Sequence, residues 1–244
     1  MTHGHHFAIH PDFATLKPFV LSLPHIFAEG QGRVIYKARN EIRLFEQGGY
    51  QLVVKSFCKP SFPNRIIYDT VRASKAKRSF IYAEKFLELG VGSPQPVAWF
   101  DARRGLLLEH SYYVSLLSPC NHNCGELFDP KFADVQHQVM REVGRATAVL
   151  HNNGYAHKDY GRGNILFCAE AGGETRVDIV DLNRMYIGKI GLERGCKNLE
   201  RLPMTPAMRR AFTEVYAKLR GFDYDECYKL IEHYRYLAKG QEEL

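Results

Sequence analysis

The stretch that decides the fold is His157-Lys158-Asp159-Tyr160-Gly161-Arg162-Gly163-Asn164-Ile165-Leu166-Phe167. Asp159 and Asn164 stand five residues apart in a glycine-containing loop, and an apolar run follows at 165–167. A turn rich in Gly and Glu comes next (169–175), then Val-Asp-Ile-Val, then Asp181. Apolar run, polar turn and apolar run predict an antiparallel hairpin. Its two open ends are Asn164 and Asp181, and neighbouring strands lie about 4.8 Å apart. An amide oxygen and a carboxylate at that separation suit a hard cation. Mg²⁺ takes oxygen ligands, usually few from the protein, with phosphates supplying more. Asp159, one loop away, is placed to accept or orient the proton of an attacking hydroxyl. Phosphoryl transfer asks mainly for such positioning and charge neutralisation.

Upstream of the loop, Val135, Val139, Val143, Ala146 and Leu150 share one helical face over 134–152, closed by Asn153-Gly154. Further upstream the pattern is strand-like. RVIYKA, EIRLFE and YQLVVKSF form three short runs, the last two separated by Gln47-Gly48-Gly49, which predicts an antiparallel meander. A basic stretch follows over 58–77. A helix is expected from about 74 to 89, with Phe80, Ala83 and Leu87 at helical spacing and Gly90 as its stop. PQPVAWF and LLLEHSYYVSLL read as a further hairpin. Residues 1–30, with Pro11, Pro18 and Pro24, read as an irregular N-terminal arm. Downstream, one helix starts at Thr205-Pro206 and another at Asp223, with Glu226 three residues on. The expected organisation is therefore an arm (1–30), a sheet-rich half with one helix (31–117) and a helical half carrying the loop and hairpin (118–244).

The 244 residues are 45% apolar, enough for a substantial core. No apolar run is long enough to cross a bilayer, and the first residues lack a signal-peptide pattern, so the expected compartment is the cytoplasm. Six scattered cysteines read as reduced thiols rather than a disulfide framework. Cys120 and Cys124 have no second pair of the spacing a zinc site needs. A net charge of +6 points to an anionic partner, and no nucleic-acid-binding motif is present.

His157-Lys158-Asp159 with Asn164 resembles the kinase catalytic loop H-R-D-x-x-x-x-N, and Asp181-Leu182-Asn183 stands where kinases carry D-F-G. The resemblance implies that Asp159 is the catalytic base, that Asn164 and Asp181 hold Mg²⁺, and that His157 buttresses the loop. Arg162, inside the loop, is a candidate for contact with the γ-phosphate. Lys55, flanked by apolar strand residues, resembles the kinase V-A-I-K lysine that neutralises ATP phosphates, and Glu84 is its candidate helix partner. ATP is expected in a cleft, over residues near Ser115, Leu116 and Leu117. A G-x-G-x-x-G loop and an A-P-E motif are missing; KARNEIR stands where the former would be.

Four stretches together resemble the Kdo/heptose lipopolysaccharide core kinases, including the InaA-like proteins: SKAKRSFIYAEKFLELGVGSPQPVAW, SYYVSLL, HNNGYAHKDYGRGNILF and VDIVDLNRM. This implies an α+β, two-lobed protein-kinase-like fold with an antiparallel sheet in its N-lobe and a compact helical C-lobe. It further implies ATP- and Mg²⁺-dependent phosphorylation of a sugar hydroxyl in an acidic glycolipid, with peripheral contact at the inner face of the inner membrane. The alternatives are a protein (tyrosine) or small-molecule kinase, or a pseudokinase that binds nucleotide without turnover.

Overall fold

A computed structural model describes residues 3–58, 73–104 and 107–242. The chain divides into two units, one of residues 1–85 and 94–117, the other of residues 86–93 and 118–244.

The first unit contains β1 (His3–Ile9), a short 3-10 turn (Pro11–Leu16), α1 (Lys17–Ala28), β2 (Arg33–Lys37), β3 (Glu41–Gln47) and β4 (Tyr50–Phe57). It continues with α2 (Lys75–Glu88) through Lys85, β5 (Pro96–Arg104) and β6 (Leu107–Leu116). Its six strands form an antiparallel sheet in the order β1-β5-β6-β4-β3-β2. The meander 33–57 arises as its pattern predicts. Gln47 pairs with Tyr50 across the two-residue turn Gly48-Gly49, and both glycines have positive φ (60° and 81°). Such turns match the twist of the strands they join and need positive φ at both central residues. Most of the basic stretch, with Lys59, Arg65 and Arg72, lies outside the described residues.

The described part of the N-terminal stretch, residues 3–30, is not an irregular arm. β1 pairs with β5 along its length, with Phe7 opposite Phe100. Helix α1 sends Val20, Leu23 and Ile26 into a core shared with Leu52, Val54, Phe100 and Tyr112. The prolines gave the misleading signal. Pro18 sits in the first turn of α1, where its missing N–H costs nothing, and Pro24 is accommodated inside the helix. Phe13, Leu16, Val20 and Leu23, all buried, already carried the helical spacing.

The second unit contains β7 (His122–Asn123), α3 (Gln136–Asn152), β8 (Tyr155–His157), β9 (Ile165–Ala169), β10 (Thr175–Ile179), β11 (Met185–Ile187), α4 (Leu192–Lys197), α5 (Pro206–Arg220) and α6 (Tyr224–Glu242). The buried face of α3 is the one its sequence predicts: Val139, Val143 and Ala146 are fully buried. Helix α3 packs on α5 so closely that a Cβ on Gly144 would stand 2.7 Å from the Phe212 carbonyl oxygen. Glycine costs a helix roughly 1 kcal/mol relative to alanine, and here it is what lets the two backbones meet. Thr205 caps α5 through its hydroxyl, which accepts from the Met208 N–H at 3.2 Å. Asp223 likewise caps α6, accepting from Glu226 N–H at 2.9 Å. The pairs β10-β9-β7 and β11-β8 form two small sheets around the loop after α3.

Candidate active site

The loop leaves α3 through β8, which pairs with β11 so that His157 lies opposite Met185. The hairpin closes as predicted: Ile165 pairs with Ile179, and the Val180 N–H donates to the Asn164 carbonyl at 3.0 Å. Asn164 and Asp181 therefore stand at the same end of one hairpin. The Asn164 amide donates to the Asp159 carbonyl at 2.8 Å, which fixes the loop conformation and spends the nitrogen of that side chain. Asp181 has φ +60°, the left-handed region, which it alone among described non-glycine residues adopts. Its carboxylate accepts from the Asn183 amide. Aspartate tolerates this region better than most residues, since its short polar side chain can bond locally.

His157 ties the loop to the hairpin. Its Nδ1 accepts from the Asp159 N–H at 3.0 Å, and its Nε2–H points at the Val180 and Asp181 carbonyls, 3.1 and 3.2 Å away. Burial depresses its pKa, which keeps the ring neutral, as a ring that both accepts and donates must be. The Asp159 carboxylate is met by two arginines, which the sequence marks as basic residues suited to an anionic acceptor or membrane but does not tie to Asp159. Arg184 forms an ion pair with Oδ2, and Arg201 stands 3.9 Å from Oδ1. Arg162 is exposed, its stem packed over Gly125. Asp159, Arg162, Asn164, Glu200, Arg201 and Arg235 line a concave pocket of about 460 Å³.

Behind the loop lies a second layer that sequence reading missed. The Asn198 amide donates to the His157 carbonyl at 2.8 Å while its oxygen accepts from His151 Nε2–H at 3.1 Å; His151 Nδ1 accepts from the Tyr216 hydroxyl at 2.8 Å. These groups come from α3, α5 and the turn after α4, so no local spacing relates them. Burial pulls the His151 imidazole down to about 4. The folded chain thus keeps His151 neutral while the unfolded chain protonates it near its ordinary value of roughly 6.5. Its contribution is intact above that value and is lost as pH falls toward 4, by about 3 kcal/mol in total. Urea midpoints measured from pH 7 down to 4.5 should fall, with a shallower fall in His151→Gln. An identical pH profile for the two proteins would remove this account.

In the first unit, Lys55 on β4 pairs across the sheet with Tyr113 and Ile42, its ammonium 5.3 Å from the Phe57 ring centre. The Tyr113 hydroxyl is pushed up by burial and further by the Glu84 carboxylate, which places Glu84 near the strand partner of Lys55. Ser115 is buried, Leu116 packs against the sheet core, and the Leu117 N–H donates to the Gln51 carbonyl at 2.9 Å.

A sequence model described as the lipopolysaccharide kinase (Kdo/WaaP) family matches residues 27–216. The chain belongs to this family. It is accordingly a kinase, and a Kdo/WaaP kinase uses ATP to phosphorylate a sugar acceptor. A structure of WaaP in complex with acyl carrier protein shares its fold, with a TM-score of 0.66 and 17% identity over 96% of this chain and 98% of that one. The PknI kinase domain of Mycobacterium tuberculosis matches with a TM-score of 0.43 and 12% identity over 79% of this chain and 74% of that one. No curated protein sequence matches. The protein is α+β and kinase-like, and no helix among its described residues is long and apolar enough to cross a membrane.

Proposed function

We propose that the chain moves the γ-phosphoryl group of ATP, with Mg²⁺, onto a hydroxyl of a lipopolysaccharide core sugar, Kdo or heptose. The observation that carries this reading is the Asn164–Val180 backbone bond, which closes the hairpin with Asn164 and Asp181 at one end while the Asn164 amide holds the Asp159 backbone. An amide oxygen and a carboxylate form the hard oxygen donor set that Mg²⁺ takes when phosphates complete its shell. Asn164 and Asp181 would hold the ion. When bound, it supplies charge neutralisation to the phosphates.

Asp159 takes the proton of the acceptor hydroxyl as the oxygen–phosphorus bond forms and the bond to ADP breaks. Arg184 pairs with Oδ2, which orients the carboxylate at the wall of the pocket. His157, neutral and bonded on both ring nitrogens, keeps the loop and hairpin in register. Arg162 is assigned to the γ-phosphate. In the first unit, Lys55 with Glu84 is assigned to the nucleotide phosphates and the 115–117 segment to the adenine end. The acceptor is an acidic glycolipid, reached by peripheral contact of a basic chain with the inner face of the inner membrane.

The test is transfer from labelled ATP into purified Kdo–lipid A and core oligosaccharide, with a generic protein substrate in parallel. Label in the glycan is expected. Label in protein alone would move the acceptor to another class, and Mg²⁺–ATP binding without transfer to any of them would leave a nucleotide-binding pseudokinase.

A further inference from the structure

The pocket beside Asp159 carries more positive charge than the chemistry assigned to it uses. Beside Arg162, both Arg201 and Arg235 line it and Arg184 adjoins it, and among the described residues only Asp159 and Glu200 oppose them. Arg184 pairs with Asp159, while Arg201 reaches it only at 3.9 Å and is largely exposed. Arg235, on α6, is the informative residue. It is half-buried, and among the described residues no carboxylate pairs with it. The acid one turn before it, Glu232, is committed to Arg209 at 2.5 Å; Arg209 is buried and also bonds Tyr228 at 2.9 Å. The position one turn after, Lys239, is basic. Burial and the Arg209 charge hold the Arg235 guanidinium below its ordinary value, the direction expected where a cation faces another cation without a counterion. Taking a charge out of water without a partner is costly, and a ligand anion would offset that cost.

The other lining groups leave room for a ligand. Gly161, Gly163, Pro203 and Ala238 complete the wall, and nothing lies within 4 Å of where a Cβ on Gly163 would stand. Glu200 has no ion pair among the described residues and is available to accept from sugar hydroxyls.

We infer that this pocket is an anion subsite of the acceptor site: Arg235 and Arg201 grip an oxyanion carried by the acceptor itself while a hydroxyl of the same molecule meets Asp159. The inference rests on the function proposed above. It makes Arg235 a specificity residue, because a neutral sugar of the same shape would leave the guanidinium unpaired. The oxyanion is a carboxylate or a phosphate, chemistry that a planar guanidinium fork serves equally.

The experiment is calorimetric titration of the full chain, without nucleotide, using two matched pairs of probes: Kdo against its methyl ester, and a hexose phosphate against the parent hexose. At least one anionic probe should bind about tenfold or more tightly than its neutral counterpart, and the pair that shows the difference identifies carboxylate or phosphate. Arg235→Gln and, on a different wall, Arg201→Gln should each remove most of that preference. Arg235→Lys should restore only part of it, and the surface change Arg210→Gln should leave it intact. MgATP affinity should stay at the wild-type value in all four variants. Equal binding within both pairs would overturn the subsite, as would absence of binding to all four probes. A parallel loss of MgATP affinity in Arg235→Gln would also overturn it, since the anion would then be the nucleotide's. The subsite and the proposed reaction fail separately. Anion preference without phosphate transfer to any glycan sinks the reaction, whereas glycan phosphorylation without anion preference sinks the subsite.

Discussion

Asp159→Ala is expected to lower phosphate transfer by about 10³-fold while leaving MgATP affinity within about tenfold. A base acts on the proton only as the hydroxyl attacks, so its removal subtracts from the transition state and hardly from the ground-state complex. The fold should survive. The Asp159 ion pair with Arg184 is at the surface, with Arg184 59% exposed, and such pairs contribute little to stability. The loop is held instead by backbone atoms, since Asn164 bonds the Asp159 carbonyl and His157 bonds its N–H. Asp159→Asn keeps the shape and should be nearly as inactive. The measurement is kcat with the phosphorylated glycan as readout, beside calorimetric binding of MgATP. Substantial turnover in Asp159→Asn would remove the base from this position, and a large loss of nucleotide affinity in either variant would reassign the carboxylate to nucleotide binding.

Asp181→Asn should instead act on nucleotide binding, weakening MgATP by about tenfold to a hundredfold while leaving Mg²⁺-free ATP unchanged. Asparagine is the informative substitution because the backbone at 181 is left-handed. Alanine there would add about 1–2 kcal/mol of strain, whereas asparagine tolerates the region and removes only the charge. The bond from Asn183 to the side chain at 181 also retains an oxygen acceptor. Titrations with and without Mg²⁺ separate the two effects. If both affinities fell together, Asp181 would be holding the loop rather than the ion. If neither fell, the hairpin end would not be the metal site.

Each of these tests concerns residues whose grouping was visible in one contiguous stretch. The hairpin 165–179 announces itself through two apolar runs around a Gly- and Glu-rich turn, and its pairing puts Asn164 and Asp181 together whatever else the chain does. The helix before it was equally plain, since its buried face repeats at helical spacing. The small pairing of β8 with β11 was not, because three-residue strands carry no period to read. The N-terminal residues failed for a different reason. Their prolines outweighed a correct hydrophobic pattern, and only the sheet edge offered by β5 shows where that pattern is buried.

What the sequence determined by itself is the loop-and-hairpin unit that carries Asp159, Asn164 and Asp181, the helix before it and the meander over 33–57. Those features depend on neighbours a few residues apart, where backbone geometry and hydrophobic period decide the outcome. Tertiary structure alone decided what surrounds that unit. Arg201 and Arg235 line one pocket from separate segments, Arg184 from a third pairs with Asp159 at its wall, and Asn198 reaches the His157 carbonyl through a bond spanning 41 positions of sequence. Even the spare charge of Arg235 exists because Arg209, from α5, has taken Glu232. Which carboxylate answers which arginine is settled by packing between helices distant in sequence, and no local pattern of residues records it.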